Sequence, residues 1–112
     1  MGITNYLPLG SIVMMENGVH RVMIVGRGLY VKQGDETYYF DYAGVLYPEG
    51  LSSEAVCYFN NDWISEVSFL GYNDEVNREI DIRIRNYVAQ HPDLKRHPKP
   101  VNSTPEGDGE KE

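Results

Sequence analysis

The side chains that could perform covalent catalysis in this sequence are the single cysteine, Cys57, and His20, the one histidine expected in the same folded body. A cysteine hydrolase needs a thiolate, an imidazole base and usually a third group that orients the base. Cys57 lies inside the apolar segment 55–59, which is typical of a strand, and cysteine there usually behaves as a small buried hydrophobe. We therefore interpret Cys57 as structural, and we expect no catalytic residues and no enzymatic activity.

Metal binding is poorly supported by the pattern of possible ligands. His91 and His97 lie in a proline-rich segment that is expected to be flexible, so they offer no ligand pair on a rigid element. Asp35, Glu36 and Asp41 could meet across a hairpin as a weak cation site, but such carboxylates are more often solvated turn and edge residues. We predict no metal ion and no cofactor.

Two further motifs resemble functional ones without completing them. Gly26-Arg27-Gly28 lacks the third glycine and the following helix of a dinucleotide fingerprint, and it lacks the Gly-Lys-Ser/Thr end of a phosphate-binding loop. It therefore indicates a strand bend. Glu49 and Glu54 could form the carboxylate pair of a glycosidase. Because Pro-x-Gly commonly ends a strand, we interpret Glu49 in "YPEG" as a turn carboxylate.

Tyrosine dominates the aromatic side chains, with nine copies. Most should pack as cross-strand neighbours, but strand alternation places Tyr38 and Tyr39 on opposite faces, so at least one aromatic is expected at the surface. Exposed tyrosines favour protein contacts. Trp63 is interpreted as a lid over the end of the sheet, with an interface anchor as the alternative. The candidate partner-binding residues are Tyr39, Tyr47, Trp63 and Tyr72, and open strand edges offer a further docking mode, β-augmentation.

The charge balance limits the class of partner. The chain has 10 basic and 17 acidic residues, a formal net charge of −7. An acidic surface repels phosphate backbones and anionic lipid head groups, so neither nucleic acid nor membrane is expected as a partner, whereas a basic protein would be compatible. One cysteine excludes an internal disulfide, and no segment reads as a signal peptide or a membrane span. We expect a cytoplasmic protein.

Short β-forming segments separated by turn residues predict a mainly β (α+β) fold. The expected architecture is a small SH3-like curved sheet or barrel of about five to six antiparallel strands, followed by one C-terminal helix. The predicted strands are residues 11–15, 19–25 with a continuation over 29–33, 37–42 with a continuation over 45–47, 55–59 and 66–70. The predicted turns are Glu16-Asn17-Gly18, Gly34-Asp35-Glu36, Pro48-Glu49-Gly50 and a polar or single helical turn over residues 60–64, and Gly44 is the expected position of a bulge.

The helix is predicted over about residues 74–90, with Asn73 as its N-cap. An apolar stripe with helical spacing supports it, formed by Val76, Ile80, Ile84, Tyr87 and Val88. Residues 80–85 also alternate with period two, as a strand would, but the stripe extends beyond them and favours the helix. From residue 91 the chain is rich in proline and polar residues. The sequence therefore predicts one domain over residues 1–90 and a flexible tail over residues 91–112.

Four segments in order carry a family resemblance: "YLPLGSIVMMENG", "VMIVGR", "FDYAGVLYPEG" and "YFNNDWISEVSFLGYND". Over roughly residues 6–76 the chain resembles a small Gram-positive bacterial family known as a domain of unknown function. Such proteins look like neighbours of type VII (ESX-like) secretion loci and LXG-type toxins. The resemblance implies a non-enzymatic accessory role, a chaperone or targeting adaptor that binds a secreted toxin or its companion. An immunity protein that neutralises a toxin is the alternative, and an enzyme is ranked last.

Overall fold

A computed structural model describes residues 5–16, 18–52 and 56–99 of the chain. The strands are β1 (Ile12–Met15), β2 (Arg21–Gln33), β3 (Glu36–Tyr47), β4 (Val56–Phe59) and β5 (Ile64–Phe69), and the helix is α1 (Glu75–Gln90). The strands form one sheet in the order β4-β3-β2-β1-β5, and all neighbours are antiparallel. The sheet is open, with β4 and β5 as its edges. The prediction of a mainly β fold with one C-terminal helix is confirmed. Of the two predicted forms, sheet or barrel, the structure has the sheet, which does not close.

The long β2–β3 hairpin is the centre of the sheet. It turns at Gly34-Asp35 and runs from the pair Gln33 and Glu36 to the pair Arg21 and Tyr47. Its strands are predicted correctly, since β2 continues through Gly26-Arg27-Gly28 and β3 ends before Pro48. Of the predicted turn at residues 16–18, Asn17 lies outside the described residues, as do residues 53–55 before β4.

The predicted bulge at Gly44 is wrong, because the extra residue lies on the partner strand. Ile24 is opposite Gly44 and Gly26 is opposite Ala43, so Val25 of β2 is the unpaired residue. Gly44 serves a packing role: a Cβ atom there would lie 2.5 Å from a methyl carbon of Val22 and 2.8 Å from a backbone oxygen. The two central strands therefore approach each other more closely at Gly44 than a side chain would allow.

The helix α1 forms as predicted, and Ile84 and Tyr87 of the predicted stripe face the sheet, whereas its first members do not. Its N-cap is Asp74, whose carboxylate accepts the backbone N–H of Asn77 at 3.0 Å, and Asn73 is not the cap. Val76 is 68% exposed, so the predicted stripe is wrong at its N-terminal end. The buried residue of the helix is Asp81, which accepts the backbone N–H of Tyr6 at 2.7 Å. This polar contact fixes the rotation of the helix on the sheet.

Residues 91–99 depart from the prediction of a flexible tail. Backbone N–H of Tyr39 donates to the carbonyl of Lys95 at 2.8 Å, and Tyr39 and Arg96 form a parallel bridge. The ring of His97 stacks on Phe40 with the centroids 5.9 Å apart. The sequence gives no sign of this packing because each contact joins positions more than 50 residues apart. The remainder of the predicted tail, residues 100–112, lies outside the described residues.

One buried carboxylate, Asp41 in the middle of β3, joins three separate segments of the chain. Asp41 is 2% exposed. Its carboxylate accepts the hydroxyl of Tyr6 at 3.0 Å, the backbone N–H of Asn61 at 2.8 Å and the guanidinium of Arg96 at 2.7 Å. Burial alone would lower the pKa of Arg96, but the hydrogen bond and charge of Asp41 raise it. A buried charge with three donors is well compensated, whereas one that loses its cation is costly.

We predict that Arg96→Ala lowers the free energy of unfolding by about 2 kcal/mol, because it leaves the Asp41 carboxylate buried without a cation. Water replaces part of the lost contact, since the Arg96 side chain is 35% exposed. Urea denaturation measures the effect. Lys95→Ala is the matched control: Lys95 pairs with Glu36 at 2.6 Å where both side chains are about half exposed, so the midpoint should hardly move. Equal losses in the two variants would contradict the role of Asp41.

Three buried tyrosines surround this carboxylate. Tyr6, Tyr39 and Tyr42 are each at most 3% exposed, and burial raises the pKa of all three phenols above its ordinary value of 10.0. The Tyr42 hydroxyl accepts the backbone N–H of Leu7 at 3.0 Å and donates to the side chain of Asn61 at 2.9 Å. The folded state therefore holds these phenol protons more tightly than the unfolded chain does.

We predict that stability falls as the pH rises above 10, where the tyrosines of the unfolded chain lose their protons. Each buried phenol that must stay protonated lowers the free energy of unfolding by about 1.4 kcal/mol per pH unit in that range. Denaturation between pH 8 and pH 11 measures the slope. Tyr42→Phe should make the slope shallower, and Tyr72→Phe, at an 81% exposed position, should leave it unchanged. A slope that Tyr42→Phe does not alter would contradict this explanation.

Candidate functional site

The edge strand β5 exposes apolar side chains along an unpaired backbone. It pairs only with β1 in the described part of the chain, and residues 65–70 are all exposed. Val67 is 45%, Phe69 58% and Leu70 54% exposed. Natural proteins usually protect an edge strand with charges, proline or a covering element, because an apolar edge invites pairing with another chain. An apolar edge left open is therefore the best candidate for a protein-binding site.

The loop after β5 extends this apolar surface. Gly71 donates its backbone N–H to the buried hydroxyl of Ser11 at 2.9 Å. A Cβ atom on Gly71 would lie 2.2 Å from the backbone oxygen of Leu9, so only glycine allows this contact. The contact places the residues on either side of Gly71 beside the loop before β1. We call the resulting set the edge surface, formed by the exposed side chains of Leu9, Val67, Phe69, Leu70 and Tyr72.

A depression of about 400 Å³ lies against the same strand. It is lined by Asn5, Leu7, Asn61, Ile64, Ser65, Glu66 and Val67. Leu7, Ile64 and Val67 form the apolar part of this lining, the other four residues are polar, and Glu66 is the charged one. The hydrogen bonds of Tyr42 to Leu7 and Asn61 hold two of the walls to the core. The depression is therefore a fixed feature next to the open edge.

Four residues were predicted to bind a partner, and the structure separates them. Tyr39 is 2% exposed and lies beneath the guanidinium of Arg96, 5.1 Å from its ring centre, so Tyr39 belongs to the core and not to a surface. Trp63 is partly buried and packs edge-to-face on Phe40 at 6.2 Å, as the lid interpretation requires. Tyr47 and Tyr72 are exposed, and of the four only Tyr72 belongs to the edge surface.

Val67, Phe69 and Leu70 are candidate binding residues that the sequence does not reveal. The strand in "EVSFL" is predicted correctly, but its exposure follows from its place at the end of the sheet beside β1. The alternation of Val67 and Phe69 with polar residues reads equally well as a half-buried strand. Leu70 is the one sign of an exposed apolar surface in the sequence. With Val67 and Phe69 it makes three apolar residues within four positions before Gly71, which is more than one buried face of a strand requires.

The residues considered for catalysis and metal binding are not brought together as a site. Cys57 is half-buried against the core cluster, and burial raises the pKa of its thiol, while His20 is exposed. Glu36 pairs with Lys95 and Asp41 with Arg96, so neither faces a shared cation position with Asp35. Within residues 5–16, 18–52 and 56–99, no group of three or more histidine, cysteine, aspartate or glutamate side chains could hold a metal ion.

We predict that Cys57 reacts more slowly with iodoacetamide at pH 8 than the same residue does in urea-unfolded chain, because burial keeps the thiol protonated. Mass spectrometry of the alkylated protein over time measures both rates. The unfolded chain supplies the control for reagent quality. Faster alkylation in the folded protein would instead indicate an activated thiolate and would favour the catalytic hypothesis.

A second depression, of about 350 Å³, lies between α1 and the sheet. Its rim carries two phenols, and the hydroxyls of Tyr30 and Tyr87 are hydrogen-bonded to each other at 2.5 Å. This hydrogen bond raises the pKa of Tyr30 to about 12. The hydrogen bond between these rim phenols joins β2 to α1, so this depression lies at a contact between two elements rather than at an open edge.

The fold is a small open sheet, and its described residues include an apolar edge that is the candidate binding surface. Its helix α1 is too short and too polar to cross a membrane, and no other helix of the described residues qualifies. The chain belongs to the family described as a domain of unknown function, DUF4176, whose model matches residues 6–80. This match confirms the predicted resemblance to a family of unknown function. Searches of curated proteins and of solved structures found no match.

The matched range covers all five strands and the first turns of α1. The edge surface therefore lies wholly inside the family region, whereas Asp81 and Arg96 lie beyond its end. The candidate docking site therefore lies within the family domain. Two contacts that hold the core, those of Asp81 with Tyr6 and of Arg96 with Asp41, come from residues after the matched range.

Proposed function

We propose that this protein is a non-enzymatic accessory protein of type VII secretion, a cytoplasmic chaperone or targeting adaptor. Its partner is an LXG-type toxin or the companion protein of that toxin, and it binds through the edge surface. The observation that carries the proposal is the open apolar edge formed by β5 and the loop that follows it.

The composition of the edge surface supports a binding role. Protein interfaces are enriched in aromatic and aliphatic residues at their centre, and their rim is polar. Phe69, Leu70 and Tyr72 supply such a centre, and Ser65, Glu66 and Ser68 are polar and exposed beside it. Such aromatic anchors usually dominate the free energy of binding. A core that is rigid around Asp41 presents them without further ordering of the chain.

The link to secretion is supported by the resemblance and not by the family description. The ordered segments "YLPLGSIVMMENG" to "YFNNDWISEVSFLGYND" resemble proteins encoded beside type VII loci and LXG toxins. A toxin that must reach the secretion machinery needs its apolar surfaces covered before export. An acidic protein with an exposed apolar edge suits that task, because the edge binds and the charge keeps the complex soluble.

We predict that the protein co-purifies with a toxin encoded beside it when the two are co-expressed and one carries an affinity tag. Leu70→Ser should weaken the complex about tenfold or more, because it removes an apolar contact from the centre of the surface. Leu51→Ser is the matched control, since Leu51 is 79% exposed but lies outside the edge surface. Isothermal titration of the purified partners measures both affinities.

The absence of a complex with any protein encoded at the locus would contradict the proposal. Equal affinities for the Leu70→Ser variant and the unaltered protein would show that another surface binds. Loss of a measured enzymatic activity in both Cys57→Ala and His20→Ala would instead revive the enzyme hypothesis.

An immunity protein is the second candidate, and the net charge of −7 favours it where the toxin is a basic nuclease. The two functions differ in the end of the toxin that is bound. An export factor binds the N-terminal LXG region, whereas an antitoxin covers the C-terminal catalytic region. Co-purification with each separate region, together with survival of cells that express the toxin, distinguishes them.

A further inference from the structure

The backbone of β5 is open along the side that faces away from β1. Its pairing with β1 runs from Ile12 opposite Phe69 to Met15 opposite Ile64, and no strand of the described residues lies on its other side. Every second residue of an edge strand directs its backbone N–H and C=O outward. Water satisfies such groups on an uncovered edge, and they need new partners when an edge is covered.

The depression beside β5 follows the same strand. Four of its lining residues, Ile64 to Val67, are consecutive residues of β5. Because side chains of an added strand alternate between the two faces of a sheet, every second side chain of that strand would lie over this depression. The apolar side chains of Leu7, Ile64 and Val67 fit an aliphatic residue there.

Glu66 supplies charge in the centre of the strand. The described residues form four ion pairs, and none of them includes Glu66, whose carboxylate has a long contact of 3.5 Å with the hydroxyl of Ser68. The chain as a whole has a net charge of −7, and the nearby cation Arg21 donates to the hydroxyl of Ser68 at 3.4 Å. An incoming strand with a lysine or arginine opposite Glu66 would be stabilised, and an acidic strand would be repelled.

We propose that β5 binds its protein partner by strand addition, and that the added segment alternates apolar residues with lysine or arginine. One basic residue lies opposite Glu66, and an apolar residue enters the depression lined by Leu7, Ile64 and Val67. This inference rests on the proposed function, because it names the kind of segment that the accessory protein recognises at the edge surface.

An extended segment explains the site better than the other occupants. A helix packed on Val67 and Phe69 would leave the outward backbone groups of β5 without protein partners, whereas an added strand pairs them. A second copy of this chain, paired antiparallel about the middle of β5, would bring two Glu66 carboxylates and two acidic bodies together. A basic extended segment would supply hydrogen-bond partners for the outward backbone groups of β5 and a positive charge opposite Glu66.

A model peptide tests the inference. The probe is a capped ten-residue peptide of alternating valine and lysine, and the control peptide alternates valine and glutamate. We expect the lysine peptide to bind, and the amides of residues 64–69 to exchange with solvent at least tenfold more slowly in its presence. The glutamate peptide should bind at least tenfold more weakly. Amide exchange and chemical-shift changes followed by NMR measure both effects.

Substitutions separate local pairing from general electrostatics. Glu66→Lys should weaken binding of the lysine peptide at least tenfold and should allow the glutamate peptide to bind. Glu79→Lys makes the same change of charge at an exposed position of α1, and it should have little effect. The inference is overturned if the lysine peptide does not bind, or if it binds without protecting the amides of β5. It is also overturned if Glu66→Lys and Glu79→Lys weaken binding equally.

Failure of this inference is distinguishable from failure of the proposed function. A toxin complex that forms without protecting the β5 amides contradicts strand addition and leaves the accessory role standing. Peptide binding at β5 without any complex at the secretion locus supports strand addition and contradicts that role. If the free protein sediments as a dimer with protected β5 amides, a second copy occupies the edge and the inference is overturned.

Discussion

The structure depends on one buried carboxylate. Asp41 joins the N-terminal segment through Tyr6, the turn before β5 through Asn61 and the segment after α1 through Arg96. These contacts span 20 to 55 positions of the sequence. An unpaired charge in the middle of β3 would be strongly destabilising, so the three segments must be in place together for the central strand to be buried. Asp41 therefore couples parts of the chain that the sheet alone would leave independent.

This constraint also shapes the candidate site. Asn61, held by Asp41 and Tyr42, begins the turn that leads into β5, and Leu7 is held by the same phenol. Both residues line the depression beside the open edge. The hydrogen bonds that fix the core therefore also hold two walls of this depression. Among the described residues, no strand pairs with the outer side of β5.

Local structure was predictable from the sequence, and long-range structure was not. Turn residues and β-forming runs predict all five strands, and apolar spacing predicts α1, whose cap is Asp74 rather than Asn73. The burial of Asp41 is not predictable locally because it depends on Arg96, 55 positions away. The stripe fails at Val76, whereas Asp81 is buried because it accepts the backbone N–H of Tyr6. The candidate site was missed because the place of β5 beside β1 is a property of topology.

Amide hydrogen exchange on the free protein under native conditions tests the central claim most directly. The informative amides are those of Tyr6, Tyr39 and Asn61, which donate to Asp81, to Lys95 and to Asp41 respectively. We predict that all three exchange with the free energy of global unfolding, while the outward amides of β5 exchange rapidly. If the three amides exchanged through separate local openings, the core would not be joined at Asp41. If the outward amides of β5 were protected as strongly as these three, the edge would not be open.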